Sequence, residues 1–391
     1  MSRNAPDPKQ TGERLRKARE TARLTQADAA READMARTTL VAIEQGQRRI
    51  RTDELQVLAR LYKTSANALL REEAVHVDLA PRFRKMSDAQ SDGIEEAIAL
   101  LADLARAEVE LENILGIKKS FNYPPERPIL PGDVRVQAEQ DATELRQRLG
   151  LGLAPIRDMV TLLEMDLGIR VFVRRFDGRI SGLFAYDEAL GACILLNANH
   201  PLPRRNQTAG HEAAHFTGTR HSPEVLLLHP TINSREERYA DAFARALLTP
   251  SRAVMQKFQE VTAGAAQLTR RHVIVLAHIF GVSREAMVRR LEELRLTKAG
   301  TWEWFERNSG ITDEQERQVL GDLRAADAGK ADADRPTTLR LSLLAAEAYK
   351  RELLSEGQLA RLLKMDRLEL REMLDGLDTE GGEADGQLQL R

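Results

Sequence analysis

The sequence predicts a mainly α-helical protein carrying one small antiparallel sheet, laid out as a five-helix N-terminal domain, an α+β domain and a helical C-terminal region. Three observations lead there. Aromatic residues make up only 4% of the 391-residue chain and Ala, Leu, Arg and Glu dominate it, a balance that favours helices over sheets. Apolar residues spaced three or four apart recur along most of the length. Alternating and short apolar runs are confined to one stretch, about 169–198, where strands are expected.

Composition sets further bounds. The length fits two or three domains. Net charge is −2 and the pI about 6.5, so the whole chain is no polycation and any nucleic-acid surface must be local. The single cysteine, Cys193, excludes an intramolecular disulfide framework and fits a reducing compartment. Lying among Ile194, Leu195 and Leu196, it reads as strand core rather than a redox centre. There is no apolar signal core and no run near the roughly 20 apolar residues a membrane helix needs. A cytoplasmic chain without a membrane partner is expected.

Taken in order, residues 1–10 read as a disordered polar leader and 11–72 as five short helices. GERLRKARETA is the first. LTQADAAREA opens the second with Thr25 as its N-cap, and the third begins near Ala36 and stops at Gly46. TDELQVLARLY, with Thr52 as cap, and SANALL are the fourth and fifth. Leu15, Ala18, Leu24, Ala29, Leu40, Ile43, Leu55 and Leu58 are the expected core. Residues 9–72 hold 14 Lys and Arg against 9 Asp and Glu; the difference, 14 − 9 = +5, is the local charge a DNA-binding module needs.

With L-T-Q-A-D-A-A and T-T-L-V-A-I-E-Q-G in matching places, residues 11–72 resemble the XRE-type, phage-repressor-like helix-turn-helix domain. The resemblance implies that the third helix lies in the major groove of double-stranded DNA. Arg37, Thr38 and Thr39 would face base edges and Gln26 the backbone or a base, while Arg48 and Arg49 are placed for phosphates.

Residues 73–133 form a connector. Its GIEEAIALLADLARAEVELENILG segment has Ile94, Ile98, Leu101, Leu104, Val109 and Leu111 mostly three or four apart, which predicts one long helix. Such a helix must bury its apolar face, either on a neighbouring domain or against its twin in a homodimer, and a two-fold suits a palindromic site. FNYPPERPILPGD, with four prolines, is an extended linker.

The α+β domain is expected over 134–262. A helix from Val134 and the segment PIRDMVTLLEMDLG lead into IRVFVRR, which alternates apolar and charged residues. Asp177-Gly178 is a hairpin-turn signal, and ISGLFAY and ACILLNA complete a small antiparallel sheet.

HEAAH follows at 211–215. On a helix His211 and His215 lie one turn apart on one face, where both ring nitrogens reach one zinc ion at roughly 2.0–2.1 Å. Glu212 sits beside the metal without ligating it and can take a proton from a water the metal acidifies to a pKa of roughly 7. Catalytic zinc needs a third protein ligand, and REERYADAFARALLTP, an amphipathic helix closed by Pro250, supplies Glu237, with Glu236 as competitor. Asp241, one turn beyond Glu237, can accept the free ring N–H of a ligand histidine.

HEAAH, the following E-R-Y-A-D-A-F-A-R-A-L-L-T-P and the preceding strand-rich segment together resemble the ImmA/IrrE type of zinc metallopeptidase over about 134–296, which implies a zincin-like fold. Gly210, Ala214 and Thr249 depart from the usual residues without removing a ligand. His221, His229 and Tyr239 are candidate oxyanion donors. Arg204 and Arg205, just before the metal helix, can attract acidic substrate residues or simply form a solvated face.

Residues 263–325 are read as a helical subdomain, 326–338 as a linker, 339–376 as a C-terminal helical segment and 377–391 as a disordered tail. VIVLAHIFGVSREAMVRRLEEL and QLARLLKMDRLELREML share one helix–turn–helix spacing at an offset of 83, Ala360 matching Ala277 and Leu374 matching Leu291. The second is acidic in its latter half, which favours packing, substrate capture or dimerisation over DNA reading.

Two functions compete. One is a DNA-binding transcriptional regulator with zinc-dependent endopeptidase activity, cleaving a repressor-type protein in a stress, DNA-damage, prophage or mobile-element response. The other is a non-catalytic repressor or antitoxin using the peptidase-like domain as a zinc-structured sensor or interaction platform. An intact Glu212 favours the first, since a sensor needs no base.

Overall fold

The computed structural model describes residues 8–62, 64, 69, 92–222, 224–227, 234–321 and 337–377. The chain divides into two compact units, residues 1–79 with 106–118, and residues 80–105 with 119–391.

In the first unit α1 (Pro8–Thr21), α2 (Gln26–Glu32), α3 (Arg37–Glu44) and α4 (Thr52–Leu61) enclose one core. It holds the eight expected residues, Leu24 at its rim, with Ala30, Ala59 and Tyr62. Thr25 caps α2 as expected, its side chain accepting from Asp28 N. Gly46 lies just past α3 at φ +70, where a non-glycine residue would be strained. Thr52 is the first helical residue rather than the cap. Arg51 holds the cap position and its N–H donates to Glu54. Inside the unit Arg19 donates to Glu44 at 2.7 Å, with both side chains buried, and Gln26 donates to the same carboxylate at 2.8 Å. One carboxylate thus ties α1 and α2 to α3. Of the expected fifth helix only Leu69 is described, helical and buried in this core, and the rest lies outside the described residues.

The long connector helix is α5 (Asp92–Leu115). Ala97, Leu101, Leu104 and Ala105 are buried, the three-to-four spacing seen in the sequence.

The second unit is built on a four-stranded sheet of β1 (Arg170–Arg174), β2 (Ile180–Asp187), β3 (Gly191–Asn197) and β4 (Glu224–Leu227) in the order β1-β3-β2-β4. The sheet is mixed, not purely antiparallel: β1 runs parallel to β3, while β2 is antiparallel to β3 and β4. Asp177-Gly178 turns the chain, but β1 and β2 are not neighbours, because β3 lies between them. Asn197, at the end of β3 and fully buried, shows how the crossing is held. Its side-chain amide donates to the carbonyls of Asp177 and Ile180 at 2.9 and 2.8 Å, pinning the β1–β2 connection over the end of β3.

Helices α6 (Val134–Arg148), α7 (Leu202–Gly218) and α8 (Arg235–Leu248) pack beside the sheet. Asp133 and Ser234 cap α6 and α8. Helix α7 approaches α8 closely because its facing residues are small. A Cβ on Gly210 would lie 3.1 Å from Ala244 Cβ and one on Gly218 3.1 Å from Tyr239.

The proline-rich segment is extended as expected, yet it is seated. Asn122 N–H donates to Leu167 O, Tyr123 Oη accepts from Ala192 N at 2.9 Å, and Arg127 N–H donates to Thr217 O at 2.8 Å.

Beyond α9 (Ser251–Thr262), α10 (Arg270–Phe280) and α11 (Arg284–Glu293) face two ways: Val273, Ile274 and Val288 form a core of their own with Phe305, Ile311 and Leu320, and the opposite face packs on the preceding domain. Leu276, Phe280, Met287 and Leu291 lie in the same cluster as the sheet and metal helices. Arg290, buried, donates to Thr249 O at 3.0 Å and to both oxygens of Glu139 on α6. Helices α12 (Thr301–Arg307) and α13 (Asp313–Leu320) follow, then α14 (Leu339–Lys350), α15 (Glu356–Leu362) and α16 (Arg367–Leu377). Buried Glu164 reaches Thr338 Oγ1 and accepts from Arg340 N at 2.9 Å, serving the orphan donors at the start of α14. The repeat seen in the sequence is structural: Gly281 and Lys364, 83 residues apart, occupy the same left-handed turn position at φ +64 and +51, as does Asp34 between α2 and α3 at +49.

Candidate metal centre

Helix α7 carries Arg204, Thr208, His211 and His215 at steps of four, three and four residues, so they share one face. Helix α8 brings Glu237 to that face from its first turn, with Ser234 capping it through the Glu237 N–H at 3.1 Å. The Nε2 atoms of His211 and His215 lie 3.1 Å apart, and each is 3.3 Å from an oxygen of Glu237. These ligand atoms all fall within 4.8 Å of one another. Glu236, the competitor, is exposed and not part of this cluster.

The outer ring nitrogens are also held. His211 Nδ1 pairs with Asp241 Oδ1 at 3.0 Å and His215 Nδ1 with Thr219 Oγ1 at 3.1 Å. Such partners fix the tautomer that leaves both Nε2 lone pairs aimed at one point. Two buried lone pairs facing each other with a carboxylate repel unless a cation or a proton sits between them. The donor set of two imidazoles and one carboxylate fits zinc with a position left over. Proton affinities tell the same story. Burial opposes a charge on His211, yet the Asp241 and Glu237 carboxylates outweigh it and raise its pKa to about 10. Burial lowers that of His215. Glu237 is also disfavoured by burial but is held well below the usual carboxylate range by its bonds to both histidines.

Glu212 is fully buried beside these ligands. Its Oε1 lies where a Cβ on Gly182 of β2 would come within 2.9 Å, so the strand backbone passes directly over the carboxylate and only glycine fits there.

The oxyanion candidates fall differently. The Tyr239 hydroxyl donates to buried Asp141 at 2.8 Å instead of facing the cluster. The reason is helical, since residues two apart, here Glu237 and Tyr239, point away from each other, whereas Asp241 at four apart shares the Glu237 face. His221 is largely exposed, 3.8 Å from Glu126. His229 lies outside the described residues.

In the helix-turn-helix unit Arg37, Thr38 and Arg49 are exposed and Thr39 half-buried. Gln26 is occupied by Glu44. Arg48 is held by Glu54 through two bonds of 3.0 and 2.9 Å, leaving Arg49 as the open cation of the pair.

Sequence reasoning missed Thr219 and Gly182. Thr219 stands four residues past His215, which the helical period signals, and an isolated glycine in a strand signals close backbone approach.

Among known proteins, residues 164–292 match the Peptidase M78 family through its IrrE N-terminal-like domain, and residues 10–72 match a helix-turn-helix domain family. None of the curated proteins matches the chain. Among solved structures, ComR from Streptococcus suis aligns over 96% of this chain and 94% of its own at 10% identity, with a TM-score of 0.16 too low to carry an argument. The chain therefore joins a helix-turn-helix domain to an ImmA/IrrE-type domain, the content of a DNA-binding regulator. No described helix is long and apolar enough to cross a membrane.

Proposed function

We propose that this regulator is a zinc-dependent endopeptidase that cleaves a repressor-type protein and so switches genes at sites its N-terminal unit reads. The observation that carries this is the presence of Glu212, fully buried, on the helix whose His211 and His215 converge with Glu237. A purely structural ion would need the three ligands and no fourth acid at the site.

In this reading His211, His215 and Glu237 hold the ion and Asp241 and Thr219 keep the two rings in place. The ion, when bound, supplies Lewis-acid polarisation and an acidified water near neutral pH. Glu212 takes a proton from the attacking water and returns it to the leaving amine nitrogen, with Gly182 covering its carboxylate from bulk solvent. DNA binding rests on the exposed first turn of α3, where Arg37 and Thr38 are available to base edges, and on Arg49 for phosphate.

Glu212→Gln tests this. The amide keeps size and shape but cannot act as a base at neutral pH. The variant should fold, hold zinc and bind DNA, yet lose about 10² to 10⁴ in cleavage rate and fail to induce the controlled genes. A Glu212→Gln strain that regulates like wild type, beside a His211→Ala strain that does not, would leave a zinc-structured regulator instead.

A further inference from the structure

We infer that the proline-rich segment, residues 122–132, is a brace of the metal centre held in place by Arg220 and Arg235, so that seating of this segment and uptake of the metal favour each other. The inference rests on the reading of His211, His215 and Glu237 as metal ligands and gives that centre two positioning residues.

The first observation is how α7 ends. A helix leaves its last carbonyls without partners of its own, and here those of Phe216 and Thr217 are taken from outside it. Arg220 Nε donates to Phe216 O at 3.1 Å, and the N–H of Arg127, in the proline-rich segment, donates to Thr217 O at 2.8 Å. Arg220 is itself joined to the segment: its guanidinium donates to Pro124 O at 2.7 Å and its N–H to Glu126 Oε1 at 3.0 Å. Among these bonds stands Thr219, whose hydroxyl holds the His215 ring. The turn that steadies one metal ligand is therefore built against this segment.

The second observation is how α8 begins. Arg235 is its first residue, a place where the positive end of the helix dipole disfavours a cation. Its guanidinium donates to Leu130 O and to Gly132 O, the latter at 2.9 Å. Gly132 has φ +120, so the bend from the segment into α6 needs a glycine. Glu237 follows Arg235 by two residues, in the same first turn.

The third observation is that both attachments span one gap. The chain runs from α7 out to β4 before it returns to α8, whereas residues 124–132 tie the end of one helix directly to the start of the other. A metal would make the same tie between His215 and Glu237, whose ring nitrogen and carboxylate oxygen lie 3.3 Å apart. Two links across one gap favour each other, and the coupling is reciprocal. The prolines at 124, 125, 128 and 131 restrict the segment before it is seated, so less freedom is lost on seating.

The test uses the full-length chain, apo and zinc-loaded. Hydrogen exchange read by mass spectrometry should show peptides covering 122–132 protected by zinc, with those from α3 and α4 unchanged. Arg235→Met removes both donors and should lower zinc affinity at least about tenfold in chelator competition, and Arg235→Lys should recover part of it. Glu126→Ala, at an exposed acid, removes the acceptor of the Arg220 N–H and should lower affinity by less. In the cobalt-loaded chain Arg235→Met should also shift the visible ligand-field bands, which report ligand geometry and which a general loss of stability leaves in place. The exchange measurement and Glu126→Ala decide the matter where Arg235→Met does not fold. Equal exchange of 122–132 with and without zinc, or Arg235→Met and Glu126→Ala chains with wild-type zinc affinity, overturns the inference. Failure of the metal reading shows separately, as zinc uptake by the parent chain no greater than by His211→Ala, and overturns both.

Discussion

Gly210 is where the spacing of the two metal helices is set, and replacing it measures how far the centre depends on that spacing. A Cβ there would sit 3.1 and 3.2 Å from Ala244 Cβ and Cα, against the roughly 3.5–4.0 Å of an ordinary carbon contact. Gly210→Ala therefore needs a few tenths of an ångström of separation, while the helix gains up to about 1 kcal/mol in propensity. The two nearly cancel, and the variant should match wild type in stability to within about 1 kcal/mol. Gly210→Val adds two further carbons in the same gap, which should cost about 1–3 kcal/mol as overpacking. It should also part α7 from α8 by about 0.5 Å, beyond the ±0.2 Å that ligand distances tolerate. Zinc affinity, measured by competition with a chromogenic chelator, should fall at least about tenfold, about 1.4 kcal/mol, with a lower denaturation midpoint. A valine variant with wild-type midpoint and wild-type zinc affinity would refute the idea that this contact positions Glu237.

Asp241→Ala should weaken zinc binding by about 10-fold, the low end for such partners because the Asp241 side chain is 55% exposed; Thr219→Val should weaken it less, since it removes a neutral acceptor, and the reverse order in chelator competition would invert these roles. Zinc binding at pH 7 should expel about one proton, because a His211 raised to about 10 carries its proton below that pH and must lose it to ligate; zinc affinity should accordingly rise with pH towards 10. Calorimetry in buffers of differing ionisation enthalpy reads the proton directly, and a release of zero contradicts the pairing of His211 with two carboxylates. In DNA binding, Arg37→Ala should relax preference at one base pair by about 1–3 kcal/mol, whereas Arg49→Ala should weaken all sequences alike and flatten the salt slope by about one unit. Equal effects of both on every sequence, in titrations across salt, would remove α3 as the reader.

What the sequence made legible was whatever lies within one helix. The relation of His211 to His215, and of Glu237 to Asp241, follows from a period of 3.6 residues, and the structure brings these four together. The cap at Thr25 sits on a short polar residue whose side chain suits that position, while the cap read at Thr52 fell one residue earlier, on Arg51. What lies between strands was not legible. Asp177-Gly178 announces a turn but cannot announce that a strand formed later will enter between the two it joins, and only the three-dimensional placement of Asn197 reveals it. Strand β4 is four residues with no alternation to mark it. Arg170 alternates with apolar neighbours as if facing solvent, yet it is buried with its guanidinium donating to Leu190 O at 2.9 Å. Gln26 and Arg48 were readable as cations and amides near DNA, but the carboxylates that engage them, Glu44 and Glu54, are 18 and 6 residues away and only folding brings them close.

The sharing of one core by α8, α10 and α11 decides what can be cut out of this protein. A fragment ending near residue 262, where the sequence alone suggests a boundary, would strip Leu276, Phe280, Met287 and Leu291 from the cluster behind the metal helices. It would also take Arg290 from Thr249 O at the end of α8 and from Glu139 on α6. At the other end, Tyr123 and Arg127 belong to the folded body through Ala192, Thr217 and Asp141. Because Val273, Ile274 and Val288 share a further core with Phe305, Ile311 and Leu320, the smallest excisable piece with an intact metal centre runs from about residue 119 to about 321, and limited proteolysis of the whole chain should leave 234–321 uncut.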